Sequence, residues 1–163
     1  MQIEKSDIIC REATKEDFDE IAKLWRQLFE LHAKLDPIFS PAKDGHRHYL
    51  KWVKFHMDDE NSVVLISEFE SKAVAYCMAQ VKQLPPVLEF KVVGMISDMA
   101  VHEDLQGRQI GRALYKAMEE KLLKMGVSRI ELKTSSFNPH SNYFWETVCG
   151  FEEFVKVRAK NFG

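Results

Sequence analysis

One stretch constrains the fold more than any other: Val101-His102-Glu103-Asp104-Leu105-Gln106-Gly107-Arg108-Gln109-Ile110-Gly111-Arg112-Ala113. Before it, Val, Ile and aromatic residues accumulate as in a strand. After it, Ile110, Ala113, Leu114, Ala117, Met118, Leu122 and Met125 keep to an i, i+3, i+4, i+7 stripe. A chain whose period changes across a glycine-containing turn is predicted to run from a strand directly into a helix. Such a turn presents backbone N–H groups, together with the positive end of the helix dipole, to an anion.

The rest of the chain reads around that junction. Ile8-Ile9-Cys10-Arg11 suits a short strand, and Thr14-Lys15-Glu16-Asp17 resembles a capping box in which Thr14 accepts from an early helical N–H. Phe18, Ile21, Trp25, Leu28 and Phe29 recur at helical spacing, which predicts a helix over 15–32. Pro37, Pro41 and Gly45 punctuate the next segment, and 48–57 suits a second, less regular helix. Segments 62–69, 73–81 and 89–101 read as three strands of an antiparallel meander, broken at Glu70-Ser71-Lys72 and Gln83-Leu84-Pro85-Pro86. The helix of residues 110–125 ends at Gly126, and its charged residues from Lys116 to Lys124 form a solvated face. Residues 129–133 alternate as a strand. Asn138-Pro139 reads as an N-cap followed by Pro at the first helical position, and 151–157 reads as a last strand. The expected order is β-α-α-β-β-β-α-β-α-β, an α/β (α+β) domain over 1–163 with a mixed, mainly antiparallel sheet flanked by helices.

Composition bounds the function. A chain of 163 residues with 45% hydrophobic content supports one sizeable core, and a net charge of -2 with both signs interspersed gives no field for nucleic acid. Cys10, Cys77 and Cys149 are odd in number and lack CxxC spacing, which fits reduced, buried thiols. Met1 to Asp7 has no apolar signal core, and no run approaches the roughly 18 apolar residues of a membrane helix. A cytoplasmic protein is expected, with neither membrane nor nucleic acid as partner. His46-x-His48 has no third ligand at suitable spacing, so no metal is expected. The chain also lacks GxxxxGK[ST] and GxGxxG, which makes a nucleotide module the weakest reading of the turn.

Taken alone, the turn fits either a diphosphate cradle, with the N–H groups of Arg108, Gln109, Gly111 and Arg112 converging, or an ordinary β-to-α loop in which glycine permits positive φ. A second element decides the context: Asn138-Pro139-His140-Ser141-Asn142-Tyr143-Phe144-Trp145, followed by Gly150-Phe151. With it, the chain resembles the GNAT superfamily of acetyltransferases. That family's pyrophosphate loop has Arg or Gln, two residues, Gly, one residue, then Gly or Ala, and its later motif has Asn, Phe-Tyr and Gly-Phe. Gln106 and Gly111 match the first motif; Asn138, Phe144, Gly150 and Phe151 match the second.

The resemblance implies an acyl-CoA-dependent N-acetyltransferase, with acetyl-CoA as co-substrate and direct transfer to a primary amine in a ternary complex. It implies a cofactor-binding set of Met99, Ala100 and Val101 at the end of the fourth strand, then Gln106, Gly107, Arg108, Gln109, Ile110, Gly111 and Arg112, and finally Asn138, Ser141, Phe144 and Trp145. Main-chain groups of Met99 and Val101 would bond to the pantetheine and the acetyl carbonyl, where the fourth and fifth strands splay. Asp98, at the family's acidic position, is the first candidate for the base, and Ser97 stands where Glu is common; a bulge puts either residue toward the cleft.

Two residues depart from the family pattern. Gln109 replaces a usual glycine, so either its φ stays negative or its N–H approaches phosphate less closely. Trp145 replaces the tyrosine that protonates the departing thiolate, a task an indole cannot perform; Tyr143 and water are the alternatives, with water favoured. Cys149, beside a glycine at a helix end, is expected to be buried rather than a covalent nucleophile. His32, Asp36 and Phe39 either shape an acceptor pocket or pack, and Asp36, Asp44, Asp58 and Asp59 would make such a pocket acidic if the acceptor is a small cation rather than a protein amine. The alternative from another class is a non-catalytic acetyl-CoA-binding sensor or interaction module. A homodimer paired through the last strand is compatible with the pattern but not required by it.

Overall fold

The computed structural model describes residues 7–162; all but the last residue of the polar Met1 to Asp7 segment lies outside them. The described residues fall into two units, 7–133 and 134–162.

In the first unit the element order is β1 (Ile9–Glu12), α1 (Phe18–Leu35), α2 (Gly45–Asp58), β2 (Ser62–Phe69), β3 (Lys72–Gln83), β4 (Val92–Val101), α3 (Ile110–Lys124) and β5 (Ile130–Leu132). The five strands form one sheet in the order β1-β2-β3-β4-β5. The first three pairings are antiparallel and β4–β5 is parallel. The meander and the mixed sheet are therefore as the sequence suggests.

Local chemistry sets the boundaries. Thr14 and Asp17 form the expected capping box: Asp17 accepts from the Thr14 N–H at 2.7 Å, and the Thr14 hydroxyl also donates to that carboxylate at 3.2 Å. A turn of 3-10 helix, Lys15–Asp17, therefore precedes α1. Glu70 and Ser71 have φ of 49° and 61°, and Phe69 pairs with Lys72, as a two-residue hairpin of primed type requires. Gly126, with φ of 84°, ends α3 where the periodicity stops.

The core lies on both faces of the sheet. On one face Ile21, Leu24 and Trp25 of α1 and Tyr49 and Val53 of α2 cover Val64, Ile66, Tyr76, Met78 and Ala100. On the other, Gly94 lies under Leu122 of α3 and Val127. A regular strand would put Gly94, Ile96, Asp98 and Ala100 on one face, because side chains alternate. Here the register changes: Ala79 pairs with Ile96, but Met78 pairs with Asp98, so Ser97 is an extra residue. This β-bulge turns Asp98 and Ala100 to the face of α1 and α2.

The second unit contains α4 (Pro139–Tyr143), followed by a π-helical turn at Phe144–Val148. Asn138 caps α4 as expected, accepting from the Ser141 N–H at 3.1 Å. The last strand expected over 151–157 is not formed. Phe154, Val155 and Val157 are exposed, Val157 at 79%, and among the described residues this unit contains no other strand to pair with; alternation alone does not make a ladder.

A Cβ at Gly94 would stand 3.1 Å from both Leu122 and Val127. Gly94→Val is therefore expected to destabilise the fold by about 1–3 kcal/mol, as overpacking does, measured by urea unfolding.

Candidate active site

The bulge carries Asp98 into a cluster of aromatic hydroxyls. The Tyr49 hydroxyl of α2 lies 3.2 Å from Asp98 Oδ2 and 3.0 Å from the Tyr76 hydroxyl of β3. A hydroxyl has one proton; donated to the carboxylate, it leaves the Tyr49 oxygen to accept from Tyr76, which satisfies all three groups. Trp25 of α1 stacks on Tyr49 with ring centroids 5.2 Å apart and holds it in place.

Burial dominates the electrostatics here. It pushes the Asp98 carboxyl up to about 6, and the Tyr49 hydrogen bond opposes part of that rise. Burial also raises Tyr49 and Tyr76 well above an ordinary phenol and keeps them neutral, reinforced at Tyr49 by Tyr76 and then Asp98, and at Tyr76 by Asp98. Asp98 is thus mostly ionised at neutral pH yet a stronger base than a solvated carboxylate. Ser97, the other candidate, is exposed and its hydroxyl donates to the Met78 carbonyl at 3.2 Å.

Three residues beyond Asp98, β4 ends in Val101, and its pairing with β5 reaches only from Gly94↔Ile130 to Ile96↔Leu132. From Ser97 onward that edge of β4 has no strand partner among the described residues, which fits the expected splay. The Val101 carbonyl, however, already accepts from the side-chain amides of Gln27 at 2.9 Å and Gln106 at 3.2 Å. Both of its lone pairs have protein partners.

The turn then enters α3 through two left-handed residues, Gly107 with φ of 74° and Gln109 with φ of 65°. Of the two alternatives posed for Gln109, a negative φ does not hold: the residue adopts the glycine-like conformation despite its side chain. Gln106, Gly107, Arg108, Gln109 and Arg112 are exposed, and Ile110 is buried as the anchor of α3. The N–H groups of Ile110, Gly111 and Arg112 lie in the first turn and have no partner within the helix.

The remaining sequence candidates are distributed as follows. In the second unit Tyr143 is exposed, Asn138 is buried in its capping role, Ser141 is half-buried, and Trp145 is buried edge-to-face against Phe144 and Phe151 with centroids 5.0 Å and 5.4 Å away. Cys149 is only half-buried. In the first unit His32 and Phe39 pack together with centroids 5.6 Å apart, Asp36 caps the Pro37–Phe39 turn, and Asp59 accepts from Ser62 at 2.6 Å. These carboxylates serve local turns. Among the described residues, no group of three or more His, Cys, Asp or Glu could hold a metal ion, and no helix is long and apolar enough to cross a membrane. Tyr49, Tyr76 and Gln27 were not legible as site residues, because their relevance depends on the bulge and on packing between distant segments.

Comparison with known proteins agrees with this geometry. Residues 23–151 match the model of the acetyltransferase (GNAT) family. The chain belongs to that family. An uncharacterized N-acetyltransferase of Methanocaldococcus jannaschii is 27% identical over 149 residues, covering 91% of this chain; the chain spans 62% of that relative's length. A tetramutant of the BH1408 protein from Bacillus halodurans superposes with a TM-score of 0.83 at 26% identity, covering 94% of this chain and 99% of that one. The aminoglycoside N-acetyltransferase AAC(6')-Iy, solved in complex with CoA, shares the fold with a TM-score of 0.73 at 17% identity, covering 95% of this GNAT chain and 94% of that one.

Because the folded Asp98 titrates near 6 and an unfolded one near 3.8, its burial costs nothing at low pH and progressively more as pH rises through that window. Asp98→Asn removes the cost, so the variant should gain on the order of 2–3 kcal/mol relative to wild type between pH 3 and pH 8 in denaturant titrations. In the loop, Gly107→Ala, whose Cβ would meet nothing within 4 Å, is expected to lose about 1 kcal/mol from backbone strain alone, and Gln109→Gly to relieve a similar strain; paired thermal melts measure both.

Proposed function

We propose that this GNAT protein transfers an acetyl group from acetyl-CoA to a primary amine by direct attack in a ternary complex, with Asp98 as general base. The observation that carries this reading is the bulge at Ser97, which holds a carboxyl of raised proton affinity three residues before the strand end that leads into the phosphate-type turn.

Acetyl-CoA supplies the acetyl group as a thioester. Gln106 to Arg112 bind its diphosphate through the N–H groups of the first turn of α3, the helix dipole and the Arg108 and Arg112 charges. The amine arrives as an ammonium ion. Asp98 takes its proton, directly or through a water, and the neutral nitrogen attacks the acetyl carbonyl. A main-chain N–H on the open edge of β4 polarises that carbonyl and stabilises the charge developing on its oxygen, a role that needs no particular side chain. The adduct nitrogen gives its remaining extra proton to water as the C–S bond breaks, and the departing thiolate takes a proton from water, since Trp145 has none of suitable acidity. Tyr143, exposed on α4, is the alternative donor.

AAC(6')-Iy is an aminoglycoside N-acetyltransferase, and a small cationic amine is the acceptor class we favour here. The test is thiol release with acetyl-CoA over a panel of small amines and peptides. Turnover is expected with at least one amine, with Asp98→Asn lowering kcat/KM by about 10²–10⁴ while acetyl-CoA binding persists. Saturable acetyl-CoA binding with no turnover on any amine would favour the non-catalytic sensor instead.

A further inference from the structure

The turn between β4 and α3 is held from two sides. On the sheet side, the His102 N–H donates to the Val74 carbonyl of β3 at 2.8 Å. On the helix side, the tether is a single side chain of α1. Gln27 Nε2 donates to the Val101 carbonyl at 2.9 Å, and Gln27 Oε1 accepts from the Glu103 N–H at 3.0 Å.

The chemistry of that contact is specific. In a strand, the carbonyl of one residue and the N–H two residues on point to the same side and are ordinarily met by a neighbouring strand. A primary carboxamide offers one donor and one acceptor at peptide-like spacing, so Gln27 takes the place of that neighbour where the ladder has ended. Gln106 Nε2 reaches the same Val101 carbonyl at 3.2 Å. This carbonyl therefore joins α1 to the first residue of the diphosphate turn, across 74 positions of sequence from Gln27.

We infer that Gln27 is a positioning residue for acetyl-CoA: its carboxamide fixes the end of β4 and the Glu103–Leu105 turn, and so sets where the Gln106–Arg112 backbone presents its N–H groups. The inference rests on the cofactor reading above. It also separates two functions of α1. Gln27 holds the turn, whereas Trp25 stacks on Tyr49 beside Asp98, so loss of the Gln27 amide should act on the cofactor and leave the base untouched.

The test compares wild type with Gln27→Leu, which keeps the bulk and loses both bonds, and Gln27→Glu, which keeps the acceptor for Glu103 but sets a carboxylate against the Val101 carbonyl. Amide exchange of Glu103 in the ligand-free protein should quicken in Gln27→Leu, a readout independent of any cofactor. The Kd and KM for acetyl-CoA should rise about tenfold, the size of one net hydrogen bond, while the amine KM and the pH midpoint of kcat/KM stay in place. In Gln27→Glu, acetyl-CoA binding should also weaken while Glu103 exchange stays slower than in Gln27→Leu. Unchanged acetyl-CoA binding together with faster Glu103 exchange would overturn the inference alone. Loss of both substrate KM values and of kcat in parallel with thermal stability would reduce Gln27 to a structural residue. Wild type that fails to bind acetyl-CoA would overturn the cofactor reading itself.

Discussion

Everything at the candidate site depends on one extra residue in a strand. Without the bulge at Ser97, alternation would turn Asp98 toward the α3 face of the sheet, on the side where Leu122 and Val127 cover Gly94. With it, the carboxyl faces α2, meets the Tyr49 hydroxyl, and is deprived of enough water to raise its proton affinity without leaving it unpaired. The bulge costs one irregular step in the β3–β4 ladder. In exchange it separates the two halves of β4: a regular half that pairs with β5 and an open half beside the turn.

The same opening creates a problem of attachment. A turn proposed to offer the N–H groups of the first turn of α3 to a diphosphate cannot also be held by those groups, so it must be fixed from outside. Here β3 fixes one side through its backbone and α1 fixes the other through the Gln27 carboxamide. The left-handed Gln109 belongs to the same compromise. A non-glycine residue at φ of 65° carries strain that persists only where the surroundings dictate the backbone path, and such strain gathers at ligand clamps.

Much of this fold was legible in the sequence. The stripe from Ile110 to Met125 could only be a helix, because its period is 3.6 and Gly126 ends it; the meander followed from β-branched runs separated by Glu70-Ser71 and Pro85-Pro86. Membership of the GNAT family was legible from Gln106, Gly111, Asn138 and Gly150-Phe151 for the same local reason. Asp98 was legible as an acidic residue but its face was not, since a single inserted residue inverts a strand and leaves no periodic trace. Tyr49 and Tyr76 looked like ordinary apolar positions of a helix and a strand. The apolar residues of 151–157 suggested a strand because alternation is a property of sequence, whereas pairing is a property of neighbours.

The most direct measurement follows the Asp98 side chain itself. With ¹³C-labelled aspartate and Asp98→Asn for assignment, the carboxyl resonance is titrated beside the pH profile of kcat/KM for acetyl transfer. One shared midpoint near 6 is expected, the rate rising as the carboxyl ionises. An Asp98 resonance that titrates near 4, or a rate that ignores its ionisation, would contradict the claim that this buried carboxyl is the base.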